Sequence, residues 1–185
     1  MTPIILLPLG SADVSMVSAL TLALAEAFSS TVYVRECDIN LAPFFDGQRL
    51  QYNSTAIITY LHNHIEAFAG ESMQTEQGTP RLLGVIDEDL FIPILTYVFG
   101  EAQLQGRVAV VSYHRLQNER YGLAPDPGLT FDRLRKEALH ELGHVFGLVH
   151  CTDQDCVMHV STYVEDIDLK PASFCQSCRD LLNIA

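Results

Sequence analysis

The stretch HELGHVFGLVH begins at His140 and ends at His150. In a helix, His140 and His144 lie one turn apart on the same face, so both imidazoles can reach one zinc ion. Glu141 follows the first histidine and can approach the ion without binding it. His150 does not fit the same helical face, so we expect the chain to turn at Gly147, where a left-handed or sharply bent backbone costs glycine least. The spacing therefore predicts three histidine ligands for one zinc ion.

A second set of candidate ligands follows the histidines directly. Four of the five cysteines form two pairs, Cys151 with Cys156 and Cys175 with Cys178. Four thiolates can surround zinc tetrahedrally at about 2.3 Å and leave no open position, so we expect a structural site. Two disulfides, free thiols or an iron–sulfur cluster are the alternatives. The two ligand sets together predict two zinc ions for each chain.

The two predicted metal sites meet in adjacent residues. His150 belongs to the first ligand set and Cys151 to the second. Adjacent Cα atoms are about 3.8 Å apart, so the two ions should lie roughly 8–15 Å from each other. We therefore expect the cysteine site to support the backbone that carries the third histidine.

The motifs resemble those of a known family. The histidine motif has the form HExxHxxGxxH, which is similar to the metzincin signature of zinc peptidases. Cys151 comes next, then Cys156 and Met158, and a Cys-x-x-Cys pair follows at Cys175 and Cys178. This longer pattern resembles the archaemetzincins, metzincins with a second, four-cysteine zinc site.

The resemblance implies a function and a role for several residues. It implies a zinc metallopeptidase in which Glu141 activates a zinc-bound water to attack a peptide bond. Met158 would form the tight Met-turn beneath the zinc ligands, without binding the metal. Tyr163 is a further candidate, as a hydrogen-bond donor to the oxyanion. Two alternatives are a zinc-binding protein of the same fold with little or highly restricted peptidase activity, and a hydrolase of a non-peptide amide.

Other polar residues and the lone cysteine give weaker signals. The histidines outside the motif lack ligand spacing, so we interpret them as surface or structural residues. Two aspartates end a predicted strand, where we expect them to cap or bind nearby backbone. The isolated cysteine is interpreted as a small buried apolar residue. The residues set aside in this way are His62, His64, His114, His159, Asp87, Asp89 and Cys37.

Composition limits the possible partners and location. The chain has 48% hydrophobic residues, which excludes intrinsic disorder. Its 23 acidic and 11 basic residues give a net charge of −12, so we expect no binding to nucleic acid or anionic membranes. No basic residue precedes Arg35, and the apolar run 14–28 is too short to span a bilayer. We expect a cytoplasmic monomer that acts on peptides or proteins.

Periodicity and residue type predict an α/β (α+β) fold. The sequence shows apolar or β-branched runs typical of strands and apolar spacing typical of helices. We predict strands at 3–9, 31–34, 82–86, 97–99 and 108–112, helices at 14–28, at 54–68 and from Thr130 onward, and loops at 41–47, 71–80 and 121–128. These elements predict a mixed sheet with helices packed on it, which the family resemblance makes metzincin-like and twisted. We expect one compact domain with two parts, residues 1–147 and a small zinc-stapled part at 148–185.

Overall fold

A computed structural model of the chain describes residues 2–69 and 80–183. Within this part of the chain, strands and helices alternate. The strands are β1 (Ile4–Leu9), β2 (Val32–Val34), β3 (Phe45–Asp46), β4 (Gln51–Asn53), β5 (Arg81–Ile86), β6 (Leu90–Phe91), β7 (Gly100–Ala102) and β8 (Val108–Ser112). The helices are α1 (Val14–Phe28), α2 (Ser54–Asn63), α3 (Ile65–Ala69), α4 (Pro127–Val145), α5 (Val164–Leu169) and α6 (Gln176–Leu182).

The main sheet of the described chain has the strand order β2-β1-β5-β8-β7. The first four strands are parallel, and β7 runs antiparallel to β8 with Gly100 opposite Val111. Strands β1 and β8 are buried along their whole length, as expected for parallel strands covered on both faces. No described strand pairs with the outer edge of β7, so this short strand leaves an edge available.

The two faces of the sheet bury two separate apolar clusters. Successive strand residues point to opposite faces, so Ile4 and Leu6 pack under α1 and α4 while Ile5 and Leu7 pack under α2. On α4, an apolar stripe is buried at Leu134, Ala138, Leu142 and Val145. This stripe fixes the rotation of α4, and with it the face that carries the histidine motif.

The predicted mixed α/β fold is confirmed, and several elements lie where the sequence placed them. Strands β1, β2, β5 and β8 and helix α1 match the predictions closely. The helix predicted at 54–68 is interrupted at His64, which separates α2 from α3. The predicted loop at 71–80 lies outside the described residues, apart from Pro80.

Two predicted boundaries were wrong. Helix α4 begins at Pro127 and not at Thr130, because Asp126 accepts a hydrogen bond from Leu129 N at 2.9 Å and caps the helix. Proline at the first helical position has a suitable φ and loses no hydrogen bond. The strand predicted at 97–99 lies three residues later, as β7. Its antiparallel register with β8 selects residues that have little intrinsic preference for strands.

A second, smaller sheet has the order β3-β4-β6 and was not predicted. Its strand β3 lies within the predicted loop at 41–47, which was wrong at this point. Its strands are two or three residues long and include Gln51 and Asn53. Runs this short have no detectable hydrophobic period. The sheet extends toward β7 through Val98, whose N–H donates to the Leu90 carbonyl at 2.9 Å.

The segment after α4 packs against the rest of the chain through aromatic rings. Phe28, at the end of α1, stacks on Phe146 at 4.8 Å between ring centroids and meets the edge of Phe174 at 5.5 Å. Phe28 is 4% exposed. One side chain thus connects α1 to both the end of α4 and the cysteine-rich segment. No helix among the described residues is long and apolar enough to cross a membrane.

We expect Phe28→Ala to lower the free energy of unfolding by about 3–5 kcal/mol, because it removes a buried ring and leaves a cavity. Leu22→Ala, on the same helix, is the control, since Leu22 is 77% exposed and its loss should cost no more than about 0.5 kcal/mol. Denaturant unfolding of both variants measures the difference. Equal effects of the two substitutions would contradict the role given to Phe28.

Candidate metal and active site

Helix α4 and the turn that ends it bring three histidines together. The backbone at Gly147 has φ +104°, and its N–H donates to the His144 carbonyl at 2.9 Å. This left-handed turn returns the chain toward the helix, as the sequence predicted. One ring nitrogen from each of His140, His144 and His150 lies within 4.8 Å of the others.

Backbone carbonyls fix the orientation of two of these rings. The Nδ1 atoms of His140 and His144 lie 2.9 Å from the Val157 carbonyl and 2.8 Å from the Leu148 carbonyl. A carbonyl can only accept, so each Nδ1 carries the proton and each Nε2 presents a lone pair. The two Nε2 atoms are 3.1 Å apart. Lone pairs at this distance repel unless they share a cation, so the arrangement fits a zinc ion.

Burial sets the electrostatics of this cluster. It lowers the pKa of His140 well below the usual histidine value, and the charge of Lys170 lowers it further. Burial also lowers the pKa of His144 and His150. Neutral imidazole is the form that binds metal ions. For Glu141, burial raises the pKa well above the usual glutamate value, and the nearby charge of Glu137 adds to the rise.

The carboxylate of Glu141 lies between α4 and the edge strand β7. A Cβ atom placed on Gly100 would come within 2.6 Å of Glu141 Oε1. Any larger residue at position 100 would therefore displace this carboxylate or the strand. The sequence did not reveal this contact, because it joins residues distant in the chain.

Met158 lies against α4 beside the histidines. It is fully buried, and its sulfur occupies the space that a Cβ atom on Gly143 would need. Its carbonyl accepts the Cys151 N–H at 2.9 Å. Met158 is therefore held between the helix that carries two of the histidines and the first residue of the cysteine set.

The four cysteines form a second cluster. Their sulfur atoms lie within 4.8 Å of one another. Cys151 and Cys175 are 3.8 Å apart, and Cys156 and Cys178 are 3.7 Å apart, measured between sulfurs. A disulfide would need about 2.05 Å. Four sulfurs placed tetrahedrally at about 2.3 Å from one zinc ion stand about 3.8 Å apart, so the spacing fits a metal.

Buried charged residues on α4 hold the segment between the two cysteine pairs, a role that the sequence did not predict. Glu137 and Lys170 form an ion pair at 2.9 Å, with side chains 5% and 2% exposed. Lys170 also donates to the His159 carbonyl at 3.3 Å. One turn earlier in α4, Arg133 binds Asp168 through two hydrogen bonds of 2.6 and 2.7 Å. Lysine occurs at only two positions in the chain, and this rarity was a sequence signal that Lys170 has a specific role.

A cleft of about 850 Å³ opens over the histidine cluster. Its upper rim contains Tyr97 and β7, and its lower rim contains Val149 and residues 160–163. Tyr163 is 63% exposed. Between the rims lie the three histidines and Glu141. The apolar side chains that line the cleft include Ile92, Leu95, Val98, Leu104, Val149 and Val160.

The remaining candidates lie outside both ligand clusters. The expectation that the two aspartates cap or bind nearby backbone was wrong, because their carboxylates bind side chains. Asp87 accepts from Gln117, and Asp89 accepts from Arg115 and Gln51. The other residues make local contacts. His62 bonds Gln103, His64 bonds the Tyr60 carbonyl, His114 bonds Arg120, His159 bonds the Cys151 carbonyl, and Cys37 packs half-buried against the α2 side of the core.

Comparison with known proteins assigns a family to this arrangement. The family described as Peptidase family M54 matches residues 30–184. The archaemetzincin of Methanocaldococcus jannaschii is 34% identical over 92% of this chain and 87% of its own length. The archaemetzincin of Methanopyrus kandleri is 49% identical, and that match spans 55% of each protein.

Solved structures show the same relationship across nearly the whole chain. The archaemetzincin of Archaeoglobus fulgidus, in complex with malonate, has a TM-score of 0.79 at 35% identity, covering 97% of this chain and 99% of the other. A zinc-dependent peptidase from Methanocorpusculum labreanum has a TM-score of 0.83 at 31% identity, covering 97% and 100%. The chain therefore belongs to peptidase family M54, the archaemetzincins, and is a zinc metallopeptidase of that family.

Proposed function

We propose that the chain hydrolyses peptide bonds in a metzincin-type site, with His140, His144 and His150 as the ligands of a catalytic zinc ion. The observation that carries the proposal is the convergence of three neutral imidazoles in an open cleft, beside the buried carboxylate of Glu141. Family membership favours this activity over a zinc-binding protein without peptidase activity and over a hydrolase of a non-peptide amide.

In this proposal Glu141 carries the proton during the reaction. When bound, zinc supplies Lewis-acid chemistry, acidifying a water molecule and polarising the scissile carbonyl. Glu141 takes the proton from the attacking water and passes it to the leaving amine. Its burial, at 6% exposure, keeps bulk water away from the carboxylate. Contact with Gly100 holds the carboxylate at the edge of β7, where a substrate would lie.

The free edge of β7 is the proposed binding surface for the substrate backbone. An extended peptide can add to an exposed sheet edge through main-chain hydrogen bonds. Strand β7 forms part of the cleft wall, directly beside Glu141. The hydroxyl of Tyr163, on the exposed lower rim, is the proposed donor to the oxyanion.

The four cysteines are the proposed ligands of a second, structural zinc ion, which makes two zinc ions per chain. This zinc would staple residues 148–185 into a small subdomain beneath residues 1–147, with Met158 as the Met-turn residue at their junction.

The separated sulfurs, which suit a reducing compartment, support a cytoplasmic location. The net charge of −12 argues against nucleic acid and anionic membranes as partners. We propose that the protein acts as a monomer on peptides or proteins.

Glu141→Gln should reduce peptide hydrolysis by about 10²–10⁴-fold, the contribution of general acid–base catalysis, while zinc binding persists. The control is Glu36→Gln, because Glu36 is exposed beyond β2 at the opposite edge of the sheet. Cleavage of a peptide library, followed by mass spectrometry, measures both variants. Full activity of Glu141→Gln on any cleaved peptide would show that the base is another residue.

Cys175→Ser should weaken binding of the catalytic zinc by about 10–100-fold, although Cys175 belongs to the other cluster. The coupling runs through Val157, whose N–H donates to the Ser173 carbonyl at 2.8 Å and whose carbonyl orients His140. Loosening the cysteine segment should therefore loosen this ring.

A competition titration with a zinc chelator measures the affinity. Cys37→Ser is the matched control, because Cys37 is a half-buried thiol outside both clusters. If Cys175→Ser loses the structural zinc and keeps the same affinity at the histidines, the two sites are independent.

A further inference from the structure

A hydrogen bond crosses the cleft from one rim to the other. The Tyr97 hydroxyl, on the upper rim, donates to the Thr162 carbonyl, on the lower rim, at 3.0 Å. Both residues line the cleft that contains Glu141. An exposed hydrogen bond between two flexible groups would open easily, so its effect depends on how firmly each partner is held.

The upper partner is held by a chain of charged and aromatic contacts. The Arg115 guanidinium lies 4.2 Å from the centre of the Tyr97 ring, which is a favourable cation–π distance. Asp89 binds this guanidinium through two hydrogen bonds of 2.5 and 2.6 Å. Phe99 meets the Tyr97 ring edge-on at 5.5 Å. Tyr97 is therefore fixed in position before any substrate arrives.

The lower partner is held by the start of α5. Asp166 accepts hydrogen bonds from the N–H groups of Thr162 and Tyr163, at 2.8 and 2.9 Å. Helix α5 is in turn anchored to α4 by the paired hydrogen bonds between Arg133 and Asp168. The Thr162 carbonyl is therefore a fixed acceptor, and the bond joins two rigid walls.

We propose that Tyr97 determines substrate specificity by limiting how far a peptide extends at the Tyr97 end of the cleft. This inference rests on the proposed binding of an extended peptide along β7. Such a peptide meets the bridge between Tyr97 and Thr162 a few residues beyond the reacting bond. It must end or turn away there, or the bridge must break. Short chains fit without disturbing it, whereas chains that continue past it bind more weakly.

Binding of labelled peptides tests this inference without requiring turnover. The short probe is fluorescein-labelled tetraleucine, chosen because the cleft is apolar. Two longer probes carry the same peptide with six extra residues, alternating Gly and Ser, at the amino end in one probe and at the carboxyl end in the other. Fluorescence anisotropy measures their affinity for zinc-loaded Glu141→Gln protein, with and without Tyr97→Phe. Tyr97→Phe removes the hydrogen bond and keeps the ring.

In the protein with Tyr97, we expect the extension at one end of the peptide to weaken binding relative to tetraleucine, and the extension at the other end to have no such effect. Tyr97→Phe should restore the affinity of that peptide by about threefold to tenfold, the worth of one hydrogen bond, and leave tetraleucine unchanged. Tyr121→Phe is the matched control, because the Tyr121 hydroxyl donates to the Arg115 carbonyl at 2.7 Å and does not cross the cleft. Equal effects of Tyr97→Phe on short and extended peptides would overturn the inference.

Hydrogen–deuterium exchange tests the bridge itself, independently of any peptide. Amides of residues 160–163 should exchange faster in Tyr97→Phe than in the unsubstituted chain or in Tyr121→Phe. Unchanged exchange would overturn the inference, since the bridge would then hold nothing in place. Faster exchange in a protein that binds and cleaves no peptide would support the bridge and contradict the proposed function instead.

Discussion

The hydrogen bond from His140 Nδ1 to the Val157 carbonyl, 2.9 Å long, constrains the whole active site. It sets the tautomer of His140 and aims Nε2 at the other histidines. It also connects α4, which the main sheet positions, to the segment that the four cysteines gather. Val157 is fully buried, so this bond forms away from competing water. The histidine cluster is thus assembled from two parts of the chain that meet at one carbonyl.

Charged residues on α4 hold residues 159–170 in one position against the helix. Buried charges are costly unless they are paired, and removing one partner leaves the other uncompensated. Glu137 with Lys170, and Arg133 with Asp168, can satisfy one another only when residues 159–170 lie in one position against the helix. These pairs therefore contribute more to the geometry of the lower rim than to net stability. The same rim supplies the Thr162 carbonyl that faces Tyr97.

Local sequence predicted which histidines and which cysteines come together, while contacts between distant residues remained hidden. The pairing of the two histidines on α4 follows from helical spacing, and the return of His150 follows from the glycine turn, so the convergence of all three was predicted without a structure. The buried strands β1, β5 and β8 were recognised for a similar reason, because their apolar runs are continuous. By contrast, β7 is a strand only because β8 lies beside it. The contact of Gly100 with Glu141 and the bond of Tyr97 to Thr162 depend on tertiary packing, which a single sequence does not display.

The most direct test of this account is a crystal structure with anomalous diffraction measured on both sides of the zinc absorption edge. We expect two anomalous peaks per chain. One should lie among the Nε2 atoms of His140 and His144 and a ring nitrogen of His150, and the other among the four cysteine sulfurs. A single peak in fully zinc-loaded protein, at either the cysteines or the histidines, would contradict the proposal of two zinc sites.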